Sequence, residues 1–230
     1  MPKMPDKLVL TGCDEKTEWQ LPWFIENYYK TNTLPLAIAD FGMSEDMNKK
    51  IRNHPAVFCV MSLNPNEDNY LKGWFLKPAA MLKAPGRSVV WVDTDCEVKS
   101  DMTSLFNMLQ PNKLNMVKDN PWVKRRGEIW FNSGVVGFID KPEILGKWFH
   151  AIKENAEVGD QEVLHSMLNP ITQMTYINEL PNEWNVLRLQ TELDGYDGPI
   201  KIMHWTGRKG NERIEGLIKI ANAVGVKVNA

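Results

Sequence analysis

Short apolar runs alternate along the first half of this chain with longer amphipathic stretches. Lys7–Thr11 reads as a strand that ends at Gly12-Cys13-Asp14. Thr17–Lys30 reads as a helix with Pro22 near its first turn, where a missing N–H costs nothing. Leu34–Ala39 is a second strand, ending in Asp40-Phe41-Gly42, and Ser44 is placed to cap a helix through Arg52 with Met47 and Ile51 inward. Ala56–Met61 is a third strand, Asn69–Lys83 a helix containing Gly73 and Pro78, and Ser88–Val92 a fourth strand. This alternation predicts an α/β domain with a mainly parallel sheet and helices on both faces.

The pattern loosens afterwards. Leu114–Val117 and Ile129–Ile139 read as strands, Pro142–Asn155 and Asp160–Leu168 as helices, and Ile200–Trp205 as a last strand. Ile214, Leu217, Ile218 and Ala221 form one apolar stripe on a final helix. No repeat or linker interrupts the chain, so residues 1–230 are read as one domain, with a more regular half (about 1–100) and a more variable half (about 101–230).

Composition narrows the function classes. A net charge of −2 gives no drive toward nucleic acid or an anionic membrane. No apolar run approaches the roughly 20 residues of a membrane helix. The first residues lack the apolar core of a signal peptide. Cys13, Cys59 and Cys96 are scattered and without metal-site spacing, which predicts reduced thiols and a cytoplasmic protein. Nine tryptophans are many for this length; most are expected in the core.

Chemistry concentrates where the fourth strand ends. Ser88-Val89-Val90-Trp91-Val92 runs into Asp93-Thr94-Asp95. Alternate side chains of an extended backbone share a face, with Cα atoms about 6–7 Å apart. Two carboxylates so placed repel unless a cation lies between them. The carboxyl end of such a strand is also where open α/β sheets bind ligands. A divalent cation holding a phosphorylated ligand is therefore expected; the bland alternative is a polar strand end with one aspartate capping a helix. Phosphatases of the haloacid-dehalogenase type also place Asp-x-Asp after an apolar strand. Cys96-Glu97 fits their continuation poorly, and three strands precede the motif here.

Four further segments follow in a fixed order around this pair: Lys77-Pro78-Ala79-Ala80-Met81, Phe131-Asn132-Ser133-Gly134, Gly159-Asp160-Gln161-Glu162 and His204-Trp205-Thr206-Gly207-Arg208-Lys209. Together they resemble the A-type-fold glycosyltransferases, in particular the family 8 retaining enzymes of the glycogenin and lipopolysaccharide galactosyltransferase type. The resemblance spans roughly Leu8 to Lys209. It implies a Rossmann-like single domain, with residues 1–100 binding the nucleotide and 101–230 the donor sugar and acceptor. It also implies transfer of glucose or galactose, with retention, from a UDP-sugar to a glycan, protein or small-molecule acceptor.

The resemblance assigns residues as well. Asp93, Asp95 and His204 match the metal ligands, and an imidazole among two carboxylates favours Mn²⁺ over Mg²⁺. Thr94 lies between the two aspartates. Thr11, Gly12 and Cys13 occupy the place of the base and ribose site. Lys77 matches a basic residue that reaches the diphosphate and sugar. Asn132 and Ser133 match the Phe-Asn-x-Gly segment, whose amide faces the sugar hydroxyls. Asp160 and Gln161 match the Asp-Gln pair beside the sugar, Gln161 near the anomeric carbon. Gly207 with Arg208 or Lys209 matches the end of the His-x-x-Gly segment, whose lysine binds the diphosphate. Here that lysine comes one position early and the following Pro-Trp is absent.

Three readings of the residues stay in view beside this one. The chain could be a metal-dependent nucleotidyltransferase, a phosphatase, or a homologue that binds sugar nucleotides without turnover. Lys124-Arg125-Arg126, flanked by Trp122 and Trp130, reads as a solvated loop or an acceptor loop for an anionic group or glycan.

Overall fold

A computed structural model describes residues 4–63, 73–155 and 158–223. The first half runs β1 (Lys7–Cys13), α1 (Leu21–Tyr29), β2 (Leu36–Asp40), α2 (Glu45–Arg52), β3 (Val57–Ser62), α3 (Lys77–Lys83) and β4 (Ser88–Val92). Glu18–Gln20 and Gly73–Leu76 form 3-10 turns leading into α1 and α3. The helix expected over Asn69–Lys83 is helical from Gly73; its first four residues lie outside the described ones. Ser44 caps α2, its hydroxyl accepting from the Met47 amide, and Ile51 is buried. Pro22 and Pro78 stand in first turns, where their absent N–H leaves no bond unmade.

The second half is more broken than its sequence pattern predicts. It runs β5 (Cys96–Val98), α4 (Thr103–Phe106), β6 (Leu114–Lys118), α5 (Asn120–Arg126), β7 (Phe131–Ile139), α6 (Glu143–Glu154), α7 (Asp160–Met167), α8 (Pro170–Tyr176), β8 (Ile177–Glu179), β9 (Val186–Leu187), α9 (Arg188–Glu192), β10 (Ile202–His204) and α10 (Gly207–Ala223). Lys124-Arg125-Arg126 is the last turn of a helix, not a loop. The start is capped by Asp119, which accepts from the Trp122 amide at 3.1 Å, and the end is closed by Gly127 at φ +72°.

Seven strands form one sheet in the order β3-β2-β1-β4-β7-β6-β8. All neighbours are parallel except β7, which is antiparallel to both β4 and β6. Alternate residues feed two cores. Leu8, Leu10, Val89 and Trp91 face α3, α6 and α7; Val9, Ile38, Val90 and Val92 face α1, α4 and α10. Burial on both faces explains why these strands read as continuous apolar runs.

Two features position the site. The chain winds outward from β1 through β2 to β3, then returns to place β4 on the other side of β1. The carboxyl ends of β1 and β4 therefore flank the topological switch point, where open α/β sheets form a crevice. Beside it a three-stranded sheet, β5-β10-β9, pairs His204 with Cys96 on one side and with Leu187 on the other.

Candidate active-site cleft

A cleft of about 670 Å³ opens at the switch point. Of the fifteen residues singled out in the sequence, thirteen line it: Gly12, Cys13, Lys77, Asp93, Thr94, Asp95, Asn132, Ser133, Asp160, Gln161, His204, Gly207 and Arg208. Thr11 and Lys209 do not. The Thr11 side chain is fully buried within β1, while Lys209 is exposed on α10.

The Asp-x-Asp segment is not extended. β4 stops at Val92, and the Cys96 amide donates to the Asp93 carbonyl at 3.0 Å, closing a turn. The strand rule that places alternate residues on one face therefore fails at Asp93 and Asp95, and their carboxylates take separate partners. Asp93 accepts from the Trp91 indole N–H at 2.6 Å and pairs with the Lys77 ammonium at 3.0 Å. Asp95 Oδ1 lies 3.2 Å from His204 Nε2. The potential metal-binding atoms that cluster within 4.8 Å belong to Asp95, Cys96 and His204, with the Asp93 carboxylate turned to Lys77 beside them. Burial, with Asp95 and Asp93 nearby, raises the Cys96 thiol pKa well above normal.

Lys77 is enclosed, with its side chain 4% exposed. It donates to Asp93, to the Ser133 carbonyl at 3.1 Å and to the Ser133 hydroxyl at 3.3 Å, and pairs with Asp160 at 3.1 Å. Burial works against its charge, but Asp160 and Asp93 outweigh burial and raise its pKa above the ordinary lysine value. Asp160 does not cap α7. It is the first helical residue, after Gly159, and its carboxylate is spent on Lys77. Burial raises the Asp93 carboxyl, Lys77 opposes that, and Asp95 adds to it.

The facing wall is built of amides. Asn132 Nδ2 donates to Asp119 Oδ2 and Gln161 Oε1, both at 3.0 Å. Asn132 Oδ1 accepts from the Gly134 amide at 2.9 Å and from Asn185 Nδ2 at 2.8 Å. Every hydrogen-bonding position of this amide is filled by protein. In this arrangement the amide holds its neighbours in place. Gln161 accepts from the Ser133 amide at 3.2 Å and donates to Asp119 at 3.0 Å.

Several residues here escaped the sequence reading. Asp119 joins α5, Asn132 and Gln161, and the Asp-Asn-Pro helix start was its available signal. Asn185 links Asn132 to His204 and carries no local signal. Gln20 accepts from the Thr94 hydroxyl at 2.7 Å and donates to Asn211 on α10 at 3.0 Å, tying the aspartate turn to both helices. Gly134 is needed because a Cβ there would lie 2.2 Å from His204 Cε1. Gly210, standing where the resemblance expects other residues, would place a Cβ 1.8 Å from the Trp205 carbonyl oxygen.

The donor set fits a divalent cation. Asp95 Oδ1 and His204 Nε2 are both electron-pair donors facing each other at 3.2 Å, an arrangement that requires a proton or a metal between them. Burial lowers the His204 pKa, but Asp95, by charge and hydrogen bond, and Asp93 more than reverse this, and it ends above the ordinary imidazole value. The site therefore draws positive charge in either form.

No protein-family model and no curated protein matches the sequence. Solved structures match it in fold. The galactosyltransferase LgtC, in complex with donor and acceptor sugar analogues, superposes with a TM-score of 0.70 over 94% of this chain and 95% of its own, at 14% identity. The bifunctional glycosyltransferase WbbM gives 0.68 over 90% of this chain and 47% of its own, at 15% identity. The glycosyltransferase GlyE of Streptococcus pneumoniae TIGR4 gives 0.63 over 88% and 55%, at 17% identity. The fold is that of the A-type glycosyltransferases.

Proposed function

We propose that this protein is a metal-dependent glycosyltransferase that moves a hexose, glucose or galactose, from a UDP-sugar to a glycan, protein or small-molecule acceptor in the cytoplasm, retaining the anomeric configuration. One observation carries this reading. At the switch-point cleft of an A-type fold, Asp95 and His204 face each other with two electron-pair donors, while Lys77, Asp93, Asp160 and Gln161 line the same cleft.

Asp95 and His204 would hold the cation, with Asp93 adding negative charge beside them. Carboxylate and imidazole together suit Mn²⁺ better than Mg²⁺. The bound cation would neutralise the diphosphate and stabilise it as leaving group. Gly12, Cys13 and Thr94 border the side where the nucleoside would lie, and Gln20 anchors Thr94 there. Arg208, at the cleft-facing start of α10, offers a planar cation to the phosphate oxygens. Lys209 lies outside the cleft, which leaves Arg208 the better-placed of the two.

Lys77 holds the Asp160 carboxylate at the sugar-binding side and adds positive charge near the departing phosphate. Gln161 is fixed by Asp119 and the Ser133 amide and makes a poor nucleophile. Retention is accordingly assigned to a front-face path in which the leaving phosphate assists deprotonation of the acceptor. The residues around Trp122 and α5, a variable region, are assigned to the acceptor side.

The test is a panel of nucleotide sugars with Mn²⁺, read by thermal shift and by nucleotide release in water. UDP-glucose or UDP-galactose should stabilise the protein and be hydrolysed slowly, and chelator should stop both. Stabilisation by no nucleoside diphosphate would count against the reading. Inversion at the anomeric carbon, seen by NMR of the product, would remove the retaining assignment. Release of inorganic phosphate or pyrophosphate without free sugar would favour a phosphatase or nucleotidyltransferase.

A further inference from the structure

His204 stands on the central strand of the small sheet, so its two ring nitrogens face opposite strands. Nε2 meets Asp95, which precedes β5; Nδ1 meets Asn185, which precedes β9, at 3.0 Å. Asn185 is fully buried. From these contacts we infer that Asn185 is a positioning residue that fixes the His204 ring with its proton on Nδ1, leaving the Nε2 electron pair for a cation beside Asp95. The inference rests on the reading of this cleft as a metal-dependent transferase site.

The argument starts from a group whose proton is not in question. The Gly134 backbone N–H lies 2.9 Å from the Asn132 side chain, so the atom facing it is the amide oxygen. The Ser133 backbone N–H fixes Gln161 Oε1 in the same way, and that oxygen in turn requires the nitrogen of Asn132 on its side. Two independent backbone donors thus set one orientation of Asn132. The Asn185 atom 2.8 Å from Asn132 Oδ1 must then be the amide nitrogen. The other end of Asn185, its oxygen, is what faces His204 Nδ1. An oxygen there accepts, so once a cation takes the Nε2 electron pair the ring proton sits on Nδ1 and is donated to Asn185. Ligating imidazoles are commonly held by such a partner on the other nitrogen. Here the partner is an amide whose own orientation is dictated by the bend at Ser133-Gly134. Gly134 also leaves room for the ring, since any Cβ would strike it.

The experiment pairs two substitutions with a spectroscopic measurement. Asn185→Asp keeps an oxygen toward Nδ1; Asn185→Leu keeps the size and removes the acceptor. If Asn185 positions the ring, Mn²⁺ affinity by calorimetry should fall on the order of 10–100-fold in Asn185→Leu and fall less in Asn185→Asp, which keeps the acceptor toward Nδ1 but loses the donor to Asn132. If it merely fills space, the order reverses, because a buried carboxylate is worse there than leucine. ¹H–¹⁵N NMR of the wild-type ring at alkaline pH, with diamagnetic Mg²⁺ in place of Mn²⁺, should show the Nδ1–H tautomer and needs no variant to fold. Finding the Nε2–H tautomer, or equal Mn²⁺ affinity in both variants, overturns the role of Asn185 alone. A wild type that binds no Mn²⁺ overturns the cation site itself and this inference with it.

Discussion

Lys77 anchors one wall of the cleft with charge, and Asn132 anchors the other with amides. On the Lys77 side, one ammonium is enclosed with the carboxylates of Asp93 and Asp160. On the Asn132 side, a single buried carboxylate, Asp119, orders the amides of Asn132 and Gln161. Burial penalises a lone charge far more than a lone amide, so the ionic wall stands or falls as a unit, whereas the amide wall can lose a member and keep its fold. The ionic wall concentrates charge at the cleft. The amide wall sets directions, since each of its hydrogen bonds admits one orientation.

The sharpest way to break the comparison is at the junction of the two walls. Asp95→Ala should abolish Mn²⁺-dependent turnover while circular dichroism and thermal melting report a folded protein; surviving activity would refute the site. Next in size is Lys77→Met, which strands Asp93 and Asp160 without their cation. Breaking a buried pair by removing one partner costs about 3–5 kcal/mol, and urea unfolding should show a loss of that order. A cost under about 1 kcal/mol, the range of exposed pairs, would mean the ionic wall is solvated in practice.

Gly134→Ala tests the amide wall where it touches His204. Forcing a methyl group against a packed ring costs about 1–3 kcal/mol, and displacement of the ring should also weaken Mn²⁺ binding. Unchanged metal affinity with lost stability would show that the ring finds another seat. Asp119→Ala removes the cap of α5, worth about 1 kcal/mol, and the shared acceptor of two amides. It should lower kcat, through Gln161, more than it lowers Mn²⁺ affinity. The smallest effect belongs to the rim. Arg208→Ala should raise KM for the nucleotide sugar without moving the melting temperature, and Lys209→Ala should change neither.

The ionic wall was more legible in the sequence than the amide wall. Asp93 and Asp95 follow an apolar strand, and Lys77 lies in the helical segment read just before it. Charged residues at the ends of apolar elements stand out because burial of a charge needs a reason. Asn185 and Gln20 gave no such signal: an amide between elements is ordinary in a loop, and only its partners make it matter. The turn at Asp93-Thr94-Asp95 also lay beyond a sequence pattern. The strand end at Val92 was readable, but period-two alternation carries past it, and nothing local announces that Asp93-Thr94-Asp95 closes a turn. α5 was readable from Asp119, Pro121 and Gly127, but its basic last turn drew the reading toward a loop.

The sequence by itself determined the parallel half-sheet, because strands buried on both faces must be apolar throughout and helices between them must be amphipathic. It also determined which residue types cluster at the chemistry: carboxylates, an imidazole and a lysine at the ends of those elements. Only the tertiary structure decided how they pair. The register of β10 against β5 and β9 brings His204 to Asp95 on one side and Asn185 on the other, and the turn after β4 sends Asp93 to Lys77 instead. Periodicity constrains the face a side chain takes within one element. Contacts between distant elements depend on sheet register and loop closure, which no local pattern encodes.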